Sequence, residues 1–321
     1  MLLSIIVIIS LLLDAVIGEP RRWHPLVGFG NMAHWLEQKL NNHEVQSQVK
    51  VRVAGLFTWA LVILPFVIGS YFLEQFSSTY QIEFSAGFKI DFDVLIAIIF
   101  LTTALGTKSL IQHASAVESA LSKNNIDLAR QRVAMIVSRD TDNSDENAIN
   151  RATIESVLEN GSDAIFAAIF WFAVLGIPGV VLYRLVNTLD AMWGYRTERF
   201  YYFGWASARI DDVMNWIPAR LTAMSYALAG NTRDALRCWV TQAKHWHGIN
   251  PGVVMASGAG ALNIKLGGKA FYHEKEIERP DLGLGNIAET KDIKRAIHIV
   301  QRSIVIWIVC IAMIEFLNSA F

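Results

Sequence analysis

Residues 164 to 186 read AIFAAIFWFAVLGIPGVVLYRLV. A run this long and this apolar can cross the hydrocarbon core of a bilayer as a helix. Gly176-Ile177-Pro178-Gly179 interrupts it, because Pro lacks a backbone N–H and Gly tolerates irregular backbone. The run therefore predicts either one kinked membrane helix or a re-entrant pair of half-helices.

Further apolar segments on both sides of this run indicate a membrane protein. The 321-residue chain is 53% hydrophobic and only 18% charged, against about 25% charged residues in average soluble proteins. The first segment lacks a basic n-region and an A-x-A site, which predicts a retained helix rather than a signal peptide. The segments are 1–17, 53–73, 94–110, 164–186 and 303–321, with a weaker amphipathic one at 213–229.

These segments predict an all-α, polytopic integral membrane protein, with membrane-associated cytoplasmic helices and loops and a single domain over residues 1–321. The weak segment 213–229 is interpreted as an interfacial or buried helix, with a further membrane span as the alternative. Two Asn at 124–125 predict a turn between helices, and Ser144 is the expected N-cap of the helix that follows. A weak strand pattern occurs only at 81–92.

Lys and Arg placement orients the chain, since cytoplasmic loops carry an excess of both. Loops 18–52 and 108–163 and the region after 229 are basic and are predicted to be cytoplasmic; loop 74–93 is acidic and is predicted to lie outside. A re-entrant 164–186 segment keeps the next arginines inside too, so we favour that interpretation. A net charge of −1 provides no basic field for nucleic acid.

Polar clusters between residues 139 and 220 are costly beside membrane segments, and they usually face a cavity, a partner or a substrate. Glu155, Glu159 and Asp163 follow one another at i, i+4 and i+8, so a continuous helix lines them along one face. A hard cation such as Mg²⁺ would offset their repulsion. The alternative is a solvated acidic face in which Arg151 pairs with Glu155.

A second group of carboxylates and amides offers oxygen ligands at helical spacing in the same way. Asn187 and Asp190 are spaced i, i+3 at the end of an apolar segment, and Asp211, Asp212 and Asn215 lie within one helical turn of each other. Arginine is suited to bidentate recognition of phosphate or carboxylate, and Arg209 and Arg220 flank the group. The alternative is a buried salt-bridge network between helices.

The first segment ends in two carboxylates and an imidazole, Asp14, Glu19 and His24, held by Gly18 and Pro20. A helix-capping turn would explain them equally well. Two GxGxxA stretches follow no convincing strand, and no complete P-loop is present, so the sequence predicts neither a Rossmann nor a Walker nucleotide fold.

Several motifs carry a resemblance to a known family. They are Arg139-Asp140-Thr141, RATIESVLENGSD at 151–163, YRLVNTLDAMWGY at 183–195, Glu198-Arg199, ARIDDVMNWIPARL at 208–221 and DAVIGEPRRWHP at 14–25. Over nearly the whole chain the sequence is similar to the adenosylcobinamide-phosphate synthase family, the CobD/CbiB proteins of cobalamin biosynthesis.

The resemblance implies an enzyme of the cell inner membrane with its site on the cytoplasmic side. It would join a carboxylate of adenosylcobyric acid to aminopropanol or its O-phosphate, as a carbon–nitrogen ligase that uses ATP and Mg²⁺. Corrinoid and amino-alcohol phosphate would be substrates, the bilayer a partner, and a homo-oligomer or other cobamide-pathway membrane enzymes further partners.

The expected roles follow from that chemistry. Carboxylates and an imidazole would serve acid–base catalysis, oxygen ligands would hold Mg²⁺, and arginines with neighbouring polar groups would bind substrate and phosphate. The catalytic set is Asp14, Glu19, His24, Asp140 and Asp212. The metal set is Glu155, Glu159, Asp163, Asp190 and Asp211. The binding set is Arg139, Thr141, Asn160, Asn187, Tyr195, Arg199, Arg209, Asn215 and Arg220.

One loop departs from the family pattern. A Ser-Pro-Asn-Ala-Gly-Trp-Pro-like loop is expected where this chain has GINPGVV at 248–254, and only Asn250 and Gly252 persist. Such a change would alter the amine substrate or weaken catalysis. Two other classes therefore stay open: a diverged, non-catalytic membrane sensor of the AmpE type, and a small-molecule transporter.

Overall fold

The computed structural model describes residues 2–18, 25–41, 47–83, 89–272 and 275–320. The helices within them are α1 (Leu2–Ile17), α2 (Pro25–Leu40), α3 (Gln48–Ser77), α4 (Phe92–Ala104), α5 (Thr107–Ser122), α6 (Ile126–Val133), α7 (Glu146–Gly161), α8 (Ala167–Trp193), α9 (Trp205–Met214), α10 (Trp216–Ala229), α11 (Thr232–Gln242), α12 (Pro251–Leu262) and α13 (Thr290–Ala320). A π-helical turn, Ser162–Phe166, joins α7 to α8. The predicted helical class is confirmed.

Two small sheets accompany the helices: β1 (Gln81–Glu83) pairs with β2 (Lys89–Asp91), and β3 (Ile264–Tyr272) pairs with β4 (Lys275–Gly283) and β5 (Asn286–Ile287). The first hairpin falls in the predicted stretch 81–92. The second contradicts the expectation that no other strands occur. Its signal is weak because a bulge between Leu266 and Gly268 breaks the alternation, and a bulge shifts side chains to the opposite face.

Four helical stretches of the described chain are long and apolar enough to cross a membrane: Gln48–Ser77, Phe92–Ser122, Glu146–Trp193 and Thr290–Ala320. Each contains one of the predicted segments after the first. The first, 1–17, corresponds to α1, a shorter apolar helix. The polytopic helical membrane architecture is thereby confirmed.

The chain divides into two compact units. The N-terminal unit comprises Leu2–Leu105 and Ala167–Asn215, and the C-terminal unit comprises Gly106–Phe166 and Trp216–Phe321. In the N-terminal unit α1 packs on α4, and α8 packs on α3, α4 and α9. In the C-terminal unit α12 packs on α10 and α11, and α13 packs on α5 and α7. The two candidate clusters described below lie one in each unit.

The apolar run that opens the prediction is sharply kinked within α8. Gly176 has φ 64° and ψ −146°, a conformation that is essentially reserved for glycine. A Cβ placed on Gly179 would lie 2.2 Å from the carbonyl oxygen of Trp171. Residues eight apart in a straight helix are about 12 Å apart, so α8 is not straight at Gly176. A kinked membrane helix and a re-entrant pair both require such a break, and the choice between them stays a prediction.

Glu74 of α3 accepts a hydrogen bond from the backbone at this kink. The turn leaves the N–H of Ile177 without a helical partner, and Glu74 Oε1 accepts its hydrogen bond at 3.0 Å. Both groups lie in the N-terminal unit. A side-chain carboxylate here does what a helix N-cap does for an ordinary first turn. The side of the membrane on which this turn lies stays a prediction.

Two local predictions about helix ends have different outcomes. The turn at 124–125 is confirmed, since Asn124 has φ 56° and Asn125 caps α6 by accepting from Leu128 N–H. The expected N-cap Ser144 is wrong by one residue, because Asp145 accepts from Ala148 N–H at 2.7 Å. A carboxylate is an equally good cap and carries the charge that the helix N-terminus favours.

The amphipathic segment 213–229 is divided near its start. α9 ends at Met214 and α10 begins at Trp216, so most of the segment forms the 14-residue helix α10. One face of α10 is buried against α12 and α13. That length is below the roughly 20 residues of a spanning helix, which favours the interpretation as a buried or interfacial helix.

Candidate functional site

The aspartate cluster of the N-terminal unit consists of Asn187 and Asp190 on α8, Asp211 and Asp212 on α9, and Asn215 directly after α9. A hydrogen-bond chain orders it: Tyr183 Oη donates to Asn215 Oδ1 at 3.0 Å, and Asn215 Nδ2 donates to Asp211 Oδ2 at 3.0 Å. The carboxylate of Asp190 interacts electrostatically with both other aspartates. The structure thus brings together residues predicted from two separate motifs.

Asp211 is the member of the cluster whose hydrogen bonding is least complete. Its Oδ1 atom is buried and has no hydrogen-bond partner among the described residues, although Asn187 still lies close enough to favour the ionised form. Burial raises the pKa of Asp211 to about 6; the charge of Asp212 also raises it, and Asn215 and Asn187 oppose the shift. A buried acceptor without a partner is costly, which makes this oxygen the strongest candidate in the cluster for a metal ligand.

Gly194 lets the Asp190 carboxylate lie against the chain. A Cβ at Gly194 would stand 2.1 Å from Asp190 Oδ1, so any larger residue would displace that oxygen. The neighbouring Tyr195 is half exposed. At the other end of the cluster, Arg209 Nη1 lies 3.4 Å from Asp212 Oδ2, and both side chains are open to solvent. Arg209 is therefore available to a ligand.

The 194–204 loop, which follows α8, is held by a buried carboxylate that the sequence analysis did not single out. Arg199 donates to both oxygens of Glu37 on α2, with Nε to Oε1 at 3.0 Å. Asn41 Nδ2 donates to the carbonyl of Arg199 at 3.0 Å and to Glu37 at 2.8 Å. The predicted phosphate-binding role of Arg199 stays a prediction; the observed contacts make it the tether of this loop.

Replacing Glu37 with Gln should lower stability at neutral pH, and the loss should be smaller in acid. Burial raises the pKa of Glu37, but hydrogen bonds from Arg199 and Asn41 and the Arg199 charge bring it below its ordinary value. A depressed carboxylate pKa contributes stability above the unfolded-state pKa, and this contribution disappears as the pH falls through the folded-state pKa. We expect a loss of about 1–3 kcal/mol, because a buried partner is left unpaired.

The measurement is the thermal midpoint in detergent at pH 7 and near pH 3. Lys291→Met is the matched control, because it removes an ion pair with Glu289 in which both side chains are exposed, and it should leave the midpoint unchanged. An equal loss for Glu37→Gln at both pH values would contradict the ion-pair account.

The arginine cluster of the C-terminal unit is built around Glu155, which is buried on α7. Gly267 N–H and Arg279 Nη2 donate to Oε1, at 2.8 and 3.1 Å, and Arg279 Nη1 donates to Oε2 at 2.9 Å. Arg139 Nη2 donates to the same Oε2. A carboxylate has about four acceptor positions, and all four are filled.

These contacts bear on the predicted metal role of Glu155. That role stays a prediction, but the observed bonds favour an ion pair. The arginines are Arg139 and Arg279 rather than the expected Arg151, because the loop before α7 and strand β4 both meet α7 at Glu155.

Arg139-Asp140-Thr141 lies in a tightly anchored loop between α6 and α7. Thr141, which is buried, donates through Oγ1 to the carbonyl of Arg130 at 3.2 Å, and Ser156 Oγ donates to the carbonyl of Ile136 at 2.9 Å. These bonds fix the backbone on both sides of Arg139. The observed contact of Thr141 is therefore structural, and its predicted contact with substrate stays a prediction.

Gly267 turns its N–H toward Glu155 because of the bulge in β3. Its φ is 84°, and a Cβ there would lie 2.1 Å from the carbonyl oxygen of Pro280. Only glycine fits a position that combines positive φ with such close backbone approach. The adjacent pair Gly267-Gly268 was the sequence signal for this contact.

The other predicted residues of the C-terminal unit lie along α7 and α10. Glu159 follows Glu155 by one turn, and Asn160 uses its Nδ2 to bond Ser156 one turn back. Asp163 lies in the π-helical turn, which shifts it from the i, i+8 position of a regular α-helix; such turns are frequent at functional sites. Arg220 donates to Asn250 Oδ1 at 3.0 Å.

The hydrogen bond between Arg220 and Asn250 accounts for one of the two residues that persist in the altered loop. Asn250 holds Arg220, and a Cβ on Gly252 would lie 2.7 Å from the carbonyl oxygen of Ala243. The two residues of 248–254 that persist from the family pattern thus both make specific contacts. Among the substituted positions Ile249 is exposed, whereas Gly248 has φ 110° and a Cβ there would lie 2.8 Å from Pro251 Cγ.

Of the three predicted N-terminal site residues, the structure describes only Asp14. Asp14 is buried at the end of α1, and Glu19 and His24 lie outside the described residues. Asp140 is exposed in its loop. Their catalytic roles stay predictions.

The fit to Mg²⁺ can be judged from the donor set. Within the described part of the chain no group of three or more His, Cys, Asp or Glu is arranged to hold a metal. Mg²⁺ nevertheless usually binds through one or two carboxylates, with phosphates and waters completing the octahedron. The unpartnered Oδ1 of Asp211 beside Asp190 and Asp212 fits that mode, whereas the saturated Glu155 does not.

Two buried, charged and hydrogen-bonded clusters in a membrane protein are candidate sites for a polar ligand, since such residues beside membrane segments are otherwise rare. The fold and clusters thus define a polytopic helical membrane protein with an acidic and a basic cluster. Comparison with known sequences narrows this class.

The chain belongs to the CobD/CbiB protein family, whose sequence model matches residues 7–300. It is 50% identical over 302 residues to a protein of Stutzerimonas stutzeri, covering 94% of each chain, and 48% identical over 301 residues to one of Chromobacterium violaceum, covering 93% of this chain and 92% of that one. A Mycobacterium tuberculosis relative is 34% identical over 297 residues, 91% and 89% of the two chains. Each relative is called "Cobalamin biosynthesis protein CobD". No solved structure matches.

Proposed function

We propose that this protein is an ATP-dependent amide ligase of cobalamin biosynthesis at the cell inner membrane. It would join a carboxylate side chain of adenosylcobyric acid to aminopropanol or its O-phosphate. Family membership over nearly the whole chain supports a part in the pathway. The observation that carries the reaction is the aspartate cluster, in which the buried Oδ1 atom of Asp211 has no hydrogen-bond partner among the described residues.

The chemistry needs an activated carboxylate. In the proposed sequence an oxygen of the corrinoid carboxylate attacks the terminal phosphorus of ATP, and ADP leaves. The amine nitrogen then attacks the acyl carbon, the C–N bond forms, inorganic phosphate departs with the C–O bond's electrons, and a base takes the amine proton. The protein must therefore offset the negative charge of the phosphates, and it must hold a base.

The aspartate cluster would offset the phosphate charge by binding a metal ion. Mg²⁺ would be held by Asp211 with Asp190, and when bound it would neutralise phosphate charge. Asn215 and Tyr183 orient Asp211, and Asn187 supports its ionised form. Arg209 pairs with Asp212 and its side chain is exposed to solvent, so it is placed to contact a phosphate oxygen. Asp212, the most open aspartate of the cluster, is our candidate base.

The arginine cluster suits an anionic substrate group. Arg139 of this cluster is held by Glu155, and Arg220, on α10 of the same unit, is held by Asn250. Preorganised donors of this kind act without reorganising during the reaction. The corrinoid is proposed to reach the protein from the cytoplasmic side, where the basic loops are predicted to lie.

Complementation in a strain that lacks its own cobinamide-phosphate synthase, fed cobyric acid, tests the function. We expect growth that depends on cobalamin to be restored, and purified protein with ATP, Mg²⁺ and aminopropanol phosphate to form the amide. The altered 248–254 loop makes the choice of amine worth varying, so aminopropanol and ethanolamine derivatives belong in the same assay. No amide from a well-folded, membrane-inserted protein with any of them would favour the sensor alternative.

A further inference from the structure

Arg279 lies in the arginine cluster, and neither the sequence motifs nor the proposed reaction assigns it a role. Four of its N–H groups are bonded: Nε to the carbonyl of Gly268 at 3.2 Å, Nη2 to the carbonyl of Gly267 at 3.2 Å, and Nη1 and Nη2 to Glu155. The ring of Trp246 lies 5.2 Å from its guanidinium carbon, which covers it further. Only 7% of its side chain is exposed. Arg279 therefore has almost nothing left to offer a ligand.

Arg139 differs from Arg279 in each of these respects. It reaches Glu155 through a single nitrogen, Nη2, and its guanidinium makes no other hydrogen bond to the described residues. Its side chain is 13% exposed, about twice the fraction of Arg279. Its backbone is fixed by the bonds of Thr141 and Ser156. It is a cation with spare donors on a rigid support.

The charges of the three residues do not cancel. Arg279 binds both oxygens of Glu155 and so neutralises it in the strong bidentate mode. Arg139 then adds a second positive charge to a carboxylate that is already paired. Glu159 also interacts electrostatically with all three, but it makes no ion pair or hydrogen bond within the described chain. It therefore offsets part of the charge of Arg139 from a distance and leaves the remaining N–H donors of Arg139 unoccupied.

We infer that Arg279 is a positioning residue: by neutralising Glu155 it leaves Arg139 free to bind an oxyanion of the substrate. The inference rests on the proposed function for the identity of that oxyanion, which is either a phosphate of ATP or of the amino-alcohol phosphate, or a corrinoid carboxylate. Without Arg279, the full charge of Glu155 would fall on Arg139 and compete with any ligand.

Charge removal in two steps tests this inference. Arg279→Met leaves Glu155 with Arg139 as its one arginine partner, so oxyanion binding at Arg139 should weaken by about tenfold or more, a change of roughly 1.4 kcal/mol. Adding Glu155→Gln removes the competing charge, and oxyanion binding should return to near the wild-type value. A role limited to anchoring the β3–β4 hairpin would not produce such a rescue, because the second substitution removes still more bonds.

The readout is chemical modification of full-length protein in detergent by phenylglyoxal, an arginine reagent, with Arg139 followed by peptide mass spectrometry. Protection is titrated separately with ATP, aminopropanol phosphate, adenosylcobyric acid and inorganic phosphate. The arm that protects at the lowest concentration identifies the oxyanion. Unchanged protection in Arg279→Met, or equal loss in the single and double variants, would overturn the inference.

Two additional comparisons make the result decisive. Breaking a buried ion pair on one side can destabilise a protein by about 3–5 kcal/mol, whereas removing both partners is often neutral. If Arg279→Met fails to accumulate, the double variant alone therefore decides: protection like that of the wild type supports the inference, and its loss refutes it. A wild-type protein that is protected but forms no amide would refute only the ligase function, and an active ligase without protection at Arg139 would refute only this inference.

Discussion

Asp211→Asn should reduce amide formation at least about a thousandfold, equivalent to roughly 4 kcal/mol of transition-state stabilisation. The substitution keeps the size of the side chain and the hydrogen bond with Asn215, since an amide oxygen can still accept from Nδ2. It removes the negative charge and places an amide where the buried, unpartnered Oδ1 now lies. A cation bridging to ATP would lose its principal ligand, which is why the rate rather than the fold should suffer.

The assay is amide formation by purified protein with saturating ATP and with Mg²⁺ varied. Asp211→Asn should also need a much higher Mg²⁺ concentration for its residual activity. Asp212→Asn is the companion variant and should abolish turnover without this change in Mg²⁺ dependence, because Asp212 is proposed as the base. Asp127→Asn is the matched control: its carboxylate is 81% exposed and, among the described residues, pairs with Arg130 alone. An Asp211→Asn enzyme with wild-type turnover would remove the aspartate cluster from the mechanism.

The helices could be predicted because their cause is local. Apolar runs such as 53–73 and 303–321 are long enough to specify a membrane helix by composition alone. The strands β3 and β4 could not, since their pairing joins residues whose alternation is interrupted by the Gly267-Gly268 bulge. A bulge is stabilised by its partner strand, and a partner strand is not visible in a local window.

The candidate site shows the same limit more sharply. Helical spacing predicted which acidic and amide residues share a turn within α8 and within α9, because i, i+3 and i, i+4 neighbours meet on any helix; it could not predict that the two helices bring these sets together. Partners distant in sequence were missed: Glu37 is 162 positions from Arg199, and Arg279 is 124 positions from Glu155. Helical spacing suggested a metal-binding role for Glu155 because the other carboxylates follow it at regular intervals in sequence. Its arginine partners lie on other elements, so spacing along the helix could not reveal them.

The kink in α8 gives the second large effect: Gly176→Ala should lower the free energy of unfolding by about 2–6 kcal/mol and reduce the yield of folded protein. The φ and ψ of Gly176 cost a residue with a Cβ about 1–3 kcal/mol. The new Cβ would also lie 2.3 Å from Glu74 Oε1, so the carboxylate would have to leave the N–H of Ile177. An unsatisfied buried N–H costs about another 1–3 kcal/mol, and the sum is a large part of a total stability of about 5–15 kcal/mol.

The yield of monodisperse protein after detergent extraction measures this effect, with the thermal midpoint of whatever folds. Gly69→Ala is the matched control, because Gly69 lies inside helix α3 and a Cβ there meets nothing within 4 Å; alanine should stabilise that helix slightly. Glu74→Ala added to Gly176→Ala should recover only part of the yield, since it removes the clash but leaves both the backbone strain and the unsatisfied N–H. Wild-type yield from Gly176→Ala alone would mean that α8 can run straight through this position, and the kink at Gly176 would then lose its support.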